Sequence, residues 1–209
     1  MPHTKPYHHG NLRESLLEAA VRLIAEVGPA GFNLREVARR AGVSHNAPYR
    51  HFRDKGELLA EVAAQGFREL NAAMLEGAAW ETTPIGKLKR SGCAYVAFAL
   101  HRPEHFVAMF DAPAPAADPA CKLAGEEAFA TLVGFIDLCQ HGGELPAGDT
   151  EYRALLAWAL VHGIAKLAVA NRLPFRSQDD ILRFAVSAID ASIASLGSAT
   201  AGFAAVQST

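Results

Sequence analysis

One stretch of the sequence decides the fold: Asn33-Leu-Arg-Glu-Val-Ala-Arg-Arg-Ala-Gly-Val-Ser-His-Asn-Ala-Pro-Tyr-Arg-His-Phe-Arg-Asp-Lys55. Apolar residues recur at helical spacing from Leu34 to Ala41, which predicts a short helix. Gly42 permits the left-handed backbone conformation that ends such a helix, and Ser44 is placed to cap a second helix through its hydroxyl. This is the layout of a helix-turn-helix, although the segment alone also fits an ordinary helical hairpin.

The composition of the chain favours an all-helical protein with a basic end. Half of the 209 residues are apolar, and the formal net charge is −2. Residues 1–60 hold nine Lys or Arg against six Asp or Glu, whereas residues 61–209 hold eleven against sixteen. A basic end on an acidic body is typical of a DNA-binding head on a regulatory body.

Cysteine usage and hydropathy favour a cytoplasmic protein. The three cysteines are odd in number and lack metal-ligand spacing, which predicts reduced thiols and no metal site. The N-terminus shows no signal peptide. The most apolar stretch, Ala154–Ala170, is interrupted by His162 and Lys166, so we expect a helix buried on both sides rather than a membrane span.

Capping residues and breakers divide the chain into helices separated by short loops. Asn11, Asn33 and Asp54 are predicted N-caps, and Gly28-Pro29 is predicted to end the first helix. Residues 1–10 and 197–209 lack periodicity and are interpreted as an arm and a tail. The predicted helices of the body are 85–100, 104–111, 121–140, 151–171 and 177–196, after a long one from Asp54 to about Leu75.

The head resembles that of the TetR family of transcriptional regulators. The resemblance rests on three short predicted helices over residues 10–60 and on the motifs Ala41-Gly42-Val43-Ser44, Tyr49-x-His51-Phe52-x-x-Lys55 and Leu58-Leu59. Two further matches, Tyr7–Arg13 and Trp158-x-x-x-His162-Gly163, resemble a sub-group whose C-terminal domain is named for its Trp-His-Gly pattern.

The resemblance implies an all-α protein with a DNA-binding domain at 1–56, a ligand-binding and dimerisation domain at 57–196, and a tail at 197–209. It implies a homodimer on a palindromic operator and a small effector that releases the DNA. No cofactor is implied. A repressor is favoured, and an activator without effector control stays open. The small residues of the helices at 151–171 and 177–196 permit close approach of two chains, so these helices are the predicted dimer interface.

The resemblance also assigns residues to DNA. Tyr49, His51 and Lys55 match positions that hold phosphates in the family, and Arg13 and Arg35 are predicted to do likewise. His45, Asn46 and Arg50 face outward at the start of the second helix and are predicted to read bases. Ser44, the predicted cap, is included among the DNA-binding residues, and solvated surface charge stays open for Arg35 and Arg50.

Two positions depart from the family pattern. Asn46 stands where glycine is common, and its amide can bind a base edge. Pro48 stands where an aliphatic residue is common, and because it lacks an N–H the helix must begin no earlier than about His45. The operator of a relative therefore cannot be transferred to this chain.

The body offers candidates for a partly apolar effector pocket. Trp158 and His162 lie one turn apart on an apolar helix, and a histidine in such surroundings needs a polar partner. A plain core reading of these aromatic residues stays open. The full set of candidates is Phe98, His101, Phe106, Met109, Phe110, Phe129, Trp158 and His162.

Two other classes of protein are weighed against a regulator. An enzyme is disfavoured because no nucleophile, phosphate-loop or paired-carboxylate motif is present, and because Pro103 separates His101 from His105. A helical interaction module that no longer binds DNA predicts no salt-dependent DNA affinity.

Overall fold

The computed structural model describes residues 12–112 and 118–196, and within them all regular structure is helical. The predicted all-α class is therefore confirmed. The arm at 1–10, the Asn11 cap, part of the Ala112–Ala120 loop and the tail lie outside the described residues. The helices are α1 (Leu12–Gly31), α2 (Leu34–Arg40), a 3₁₀ helix (Pro48–Arg50), α3 (Lys55–Ala79), α4 (Pro84–His101), α5 (Pro103–Phe110), α6 (Pro119–His141), α7 (Thr150–Val169) and α8 (Gln178–Leu196).

The described residues form two compact units, each with its own core. The first contains the described chain up to Phe67 and within Glu104–Ala124, and the second contains Arg68–Pro103 and the described residues from Gly125 onward. The core of the first unit is built by α1, α2, α3 and α5, and its largest fully buried members are Phe32, Phe52, Leu16, Leu23, Leu58 and Leu59. The core of the second unit includes Leu88, Phe135, Ile136 and Leu145.

The turn after α2 is a Schellman motif. Gly42 lies at φ +70°, the left-handed region that favours glycine. The Val43 N–H donates to the Ala38 carbonyl at 3.0 Å, and the Gly42 N–H donates to the Arg39 carbonyl at 3.2 Å. Val43 then packs against the core of the first unit. The predicted helix stop is thus present in detail.

The second helix of the motif is shorter than predicted. Pro48–Arg50 is a single 3₁₀ turn, and no side chain caps it, so the predicted Ser44 hydroxyl cap is wrong. Instead, the Ala47 N–H donates to the Ser44 carbonyl at 2.9 Å. Pro48 explains the difference, because it has no N–H with which to continue an α-helical ladder from the residues before it. A start after His45 agrees with the prediction.

Side-chain caps fix the starts of α2, α3, α4 and α7. The Asn33 Oδ1 accepts from the Glu36 N–H at 2.9 Å, and the Asp54 Oδ1 accepts from the Glu57 N–H at 3.0 Å, as predicted. Thr83 and Asp149 cap α4 and α7 in the same way. Each cap satisfies an amide that has no partner within its helix.

An ion-pair network ties α1 to α2. The Glu36 carboxylate accepts from Arg39 at 2.7 Å and from Arg40 at 3.0 Å, and Arg40 also donates to Glu26 at 2.6 Å. Hydrogen bonds from Arg39 and Arg40 lower the pKa of Glu36 to about 2. Two carboxylates of the first unit are therefore neutralised by neighbouring guanidinium groups.

Helix α7 is less buried than its apolar sequence predicts. It packs against α4 and α8, yet Leu155, Leu156 and Leu167 are 48%, 39% and 47% exposed. The prediction of burial on both sides is therefore wrong for the single chain. In the part of the chain that is described, α7 is also the one helix long and apolar enough to cross a membrane, a test that core helices of water-soluble proteins pass as well.

Replacing Gly42 with alanine should destabilise the first unit. No atom lies within 4 Å of the position that a Cβ on Gly42 would take, so the cost is the left-handed conformation itself, about 1 kcal/mol after the loss of unfolded-state entropy. Gly134 also has open space and lies inside α6, where alanine is the better helix former, so Gly134→Ala should stabilise by roughly 0.5–1 kcal/mol. Urea unfolding at fixed protein concentration measures both variants. Equal effects of the two substitutions would contradict the turn assignment.

Replacing Glu36 with glutamine should flatten the acid dependence of stability. The folded pKa of Glu36 lies below its unfolded value, so its contribution is complete above about pH 4.5 and is lost as the pH falls towards about 2. Thermal melts of wild type and Glu36→Gln between about pH 5 and pH 2.5 test this linkage. Parallel melting curves for the two proteins over that range would show that the network adds no pH-dependent stability.

Candidate nucleic-acid interface and effector site

The turn and the 3₁₀ helix present a continuous polar surface. The side chains of this surface are exposed, whereas Ala47, Pro48 and Phe52 are buried beneath it. No acidic residue occurs between positions 44 and 51. We call this set the recognition surface, and it consists of the predicted residues Ser44, His45, Asn46, Tyr49, Arg50 and His51.

The chemistry of the recognition surface suits an anionic polymer. Its amide, phenol, imidazole and guanidinium groups all donate hydrogen bonds, and Tyr49 is 53% exposed. Such groups can bind phosphate oxygens, and the amide of Asn46 and the guanidinium of Arg50 can also bind base edges. The structure therefore brings these six predicted residues together on one exposed face.

Two predicted phosphate ligands are held by contacts inside the first unit. The Arg13 guanidinium lies 2.9 Å from the Glu61 carboxylate and 5.4 Å from the Phe52 ring centroid. The Lys55 Nζ donates to the Ala30 carbonyl at 3.0 Å. Both cations thus help to hold the helices behind the recognition surface, and some of their donors are occupied.

Arginines near the recognition surface differ in how strongly they are paired. Arg35 is exposed, as predicted for a phosphate ligand. Arg53 is not among the predicted residues, and its side chain is 84% exposed although its Nε lies 3.1 Å from Glu57. An exposed pair of this kind is weak, so Arg53 can turn towards a phosphate at little cost.

In the second unit, Trp158 and His162 meet at a tyrosine that sequence reasoning missed. The Trp158 Nε1 donates to the Tyr95 Oη at 3.2 Å, and that oxygen shares a 2.9 Å hydrogen bond with the His162 Nδ1. Burial raises the pKa of the Tyr95 phenol above its usual range, so the group stays protonated. The predicted partner of His162 is thus a protein side chain.

The other predicted pocket residues do not gather at this place. Phe129 packs edge-on against Trp158 with ring centroids 6.1 Å apart. Phe98 is buried and His101 is exposed, and both line an open groove beside the exposed Trp80. The remaining three belong to the first unit and are Phe106, Met109 and Phe110. The ring centroids of Phe110 and Phe67 lie 5.4 Å apart there.

A cavity in the second unit is lined by other residues. It encloses about 40 Å³ between α3, α4, α6, α7 and α8. None of the eight predicted residues lines it, although Tyr95 does. A signal was present in the sequence, because Leu88, Ser91, Gly92 and Tyr95 recur at positions that share one face of α4.

No group of three or more potential metal ligands lies close together in residues 12–112 and 118–196. His105 is buried with its Nδ1 3.3 Å from the Glu104 carboxylate, and His101 is exposed.

Two family profiles match the chain. The profile described as "Bacterial regulatory proteins, tetR family" matches residues 16–62 and spans the turn and the recognition surface. The profile described as "Tetracyclin repressor-like, C-terminal domain" matches residues 88–190, which include Trp158, His162 and Gly163. Assignment to the Trp-His-Gly sub-group stays a prediction.

Solved structures share the fold of this chain. A protein of unknown function from Rhodococcus sp. RHA1 is 35% identical with a TM-score of 0.79, over 93% of this chain and 100% of that one. FadR from Bacillus subtilis, solved in complex with stearoyl-CoA, shares the fold at 17% identity and TM-score 0.71, over 87% and 97% of the two chains.

Curated relatives match the head. The HTH-type transcriptional regulator AcrR from Shigella flexneri is 40% identical over 50 residues, which are 24% of this chain and 23% of AcrR. The match thus spans less than a quarter of that relative. Taken together, the profiles, the relatives and the helix-turn-helix show that the chain belongs to the TetR family of DNA-binding transcriptional regulators.

Proposed function

We propose that this protein is a dimeric repressor that binds a palindromic operator and releases it when a small, partly apolar effector binds. The observation that carries the proposal is the recognition surface, an acid-free face of hydrogen-bond donors supported by a buried core. The head is residues 1–56, the ligand-binding and dimerisation body is 57–196, and the protein acts in the cytoplasm.

Roles within the recognition surface follow from reach and chemistry. Tyr49 and His51 bind phosphates, with Arg13, Arg35 and Lys55 adding positive charge around the turn. Ser44, His45, Asn46 and Arg50 read base edges in the major groove.

Repression and effector control are supported by similar proteins and by the polar cluster of the second unit. The profile of the body is described as tetracyclin repressor-like, and FadR was solved with stearoyl-CoA. The Tyr95, Trp158 and His162 cluster brings three polar groups together beside an apolar cavity that Tyr95 also lines, which suits an effector site nearby. Activation in place of repression would require an operator at which binding recruits polymerase.

Dimerisation is supported by the apolar faces of α7 and α8. Leu155, Leu156 and Leu167 on α7, and Phe184 and Val186 on α8, are each more than a third exposed in the single chain. Exposed apolar side chains clustered on two adjacent helices indicate an interface. An isologous four-helix contact would cover them.

Selection of duplexes from a random pool by the purified protein tests the proposal without knowledge of the operator. Enrichment of a palindrome whose half-sites lie about one helical turn apart is the expected result. Selection of no sequence above a non-binding control protein would overturn the regulator and leave the interaction module.

Tyr49→Phe and Asn46→Ala should affect DNA binding in different ways. Loss of the Tyr49 hydroxyl removes one phosphate hydrogen bond from each of the two heads, so affinity should fall by roughly fivefold to a hundredfold for every duplex. Loss of the Asn46 amide should instead relax preference at one base pair of each half-site, by about 1–3 kcal/mol. Fluorescence anisotropy on the selected duplex and its point variants measures both effects. Tyr152→Phe, the same change on α7, is the control and should bind as wild type.

Charge on the exposed face of α7 should prevent dimerisation. Leu156 and Leu167 are eleven residues apart, which is about three turns, so they lie on one face. The double variant Leu156→Glu/Leu167→Glu should sediment as a monomer, because four carboxylates would be buried in a two-fold interface. Leu138→Glu on α6, which is equally exposed, should remain a dimer. A dimeric double variant would place the interface elsewhere.

A further inference from the structure

The cavity of the second unit has a wall without charge. Of the residues that line it, none is acidic, basic or a histidine. The wall is made of aliphatic side chains such as Met74, Leu132, Val161 and Ile189, together with three hydroxyl-bearing residues. An ion placed here would lose its hydration and gain no counter-charge.

The hydroxyl groups of the wall are largely occupied. The Ser91 Oγ donates to the Leu88 carbonyl at 2.8 Å, and the Tyr95 Oη is bound by Trp158 and His162. Ser192 on α8 supplies the third hydroxyl. A ligand therefore meets hydrocarbon on nearly every side and finds at most one or two polar contacts.

We propose that this cavity binds a small, uncharged, hydrocarbon-like molecule with no more than one hydrogen-bonding group. The inference deepens the proposed function, because it names the chemical class of the effector. It excludes carboxylates, phosphates and amines as the part of the ligand that enters the cavity, since each would be buried without a partner.

The size of the cavity identifies the part of its wall that must move. About 40 Å³ is smaller than the roughly 150 Å³ cavity that holds benzene in another protein. The wall between α4 and α8 leaves no room to move inward at Gly92. A Cβ added to Gly92 would lie only 3.2 Å from the Ile189 Cδ1, so the two helices are already in close contact there. Met74 on α3 is the flexible member, because its unbranched side chain can adopt other rotamers. Entry of a ligand therefore displaces Met74.

Methionine methyl NMR on the full chain tests this inference at the site itself. The sequence has three methionines, and of the two within the described residues Met74 lines the cavity while Met109 lies in the first unit. The probes are 1-hexanol, hexanoate and hexylammonium, which share one chain and differ in charge. We expect 1-hexanol to shift the Met74 methyl signal in a saturable way and to leave Met109 unchanged. Each ion should bind at least tenfold more weakly, because its charged group must either enter the cavity without a partner or hold part of the chain outside it.

Two variants on α6 separate binding in the cavity from binding elsewhere. Leu132→Phe adds volume to the wall, whereas Leu138→Phe makes the same change at a position that is 48% exposed and outside the wall. The Met74 response to 1-hexanol should be lost, or weakened at least tenfold, in Leu132→Phe and kept in Leu138→Phe. Circular dichroism and thermal melting of both variants confirm that they are folded.

The outcomes separate this inference from the regulator itself. A Met74 signal that does not respond to 1-hexanol, responds equally to either ion, or responds in Leu132→Phe as in wild type would overturn the proposed ligand class. Because the titration contains no DNA, its result does not depend on whether the protein binds an operator. If the protein selects no duplex but shows the Met74 shift, the proposed regulatory function is contradicted and the proposed ligand class of the cavity still stands.

Discussion

The left-handed turn at Gly42 is the constraint on which the head depends. Two hydrogen bonds across this turn end α2, and only a residue that tolerates φ +70° can make them without strain. The chain then reverses so that Ala47 and Phe52 enter the core. Val43 and Pro48 also face the core, and the polar side chains of the segment are left exposed to solvent. The recognition surface is thus a consequence of the turn.

The two units differ in the charged and polar groups that they present. In the head, Glu26 on α1 and Glu36 on α2 are bound to Arg40, so the charge of these two acids is neutralised within the head. The recognition surface itself carries hydrogen-bond donors and no acidic residue. The body is the opposite case, since the wall of its cavity has no charge and the Tyr95 hydroxyl there is bound by Trp158 and His162. One unit is therefore suited to a polyanion, and the other to an uncharged ligand.

Local features of this fold could be predicted from the sequence, and long-range ones could not. Asn33, Asp54 and Gly42 act on neighbours within a few residues, so their roles follow from type and spacing. Pro48 is a recognisable constraint, but the pattern of residues did not predict that the second helix is a single 3₁₀ turn. Tyr95 joins Trp158 only through the packing of α4 on α7. The residues of α7 are apolar on every side, so the sequence does not show which of them pack within the same chain and which stay exposed.

Salt dependence of DNA binding tests the central claim most directly, that the face created by the Gly42 turn binds phosphates. Wild-type affinity for the selected duplex and for a scrambled duplex would be measured from low to high salt. If Arg13, Arg35 and Lys55 each neutralise one phosphate in both heads, the log–log slope on the selected duplex is about −5. A slope near zero, or equal affinity for both duplexes at every salt concentration, would contradict the account.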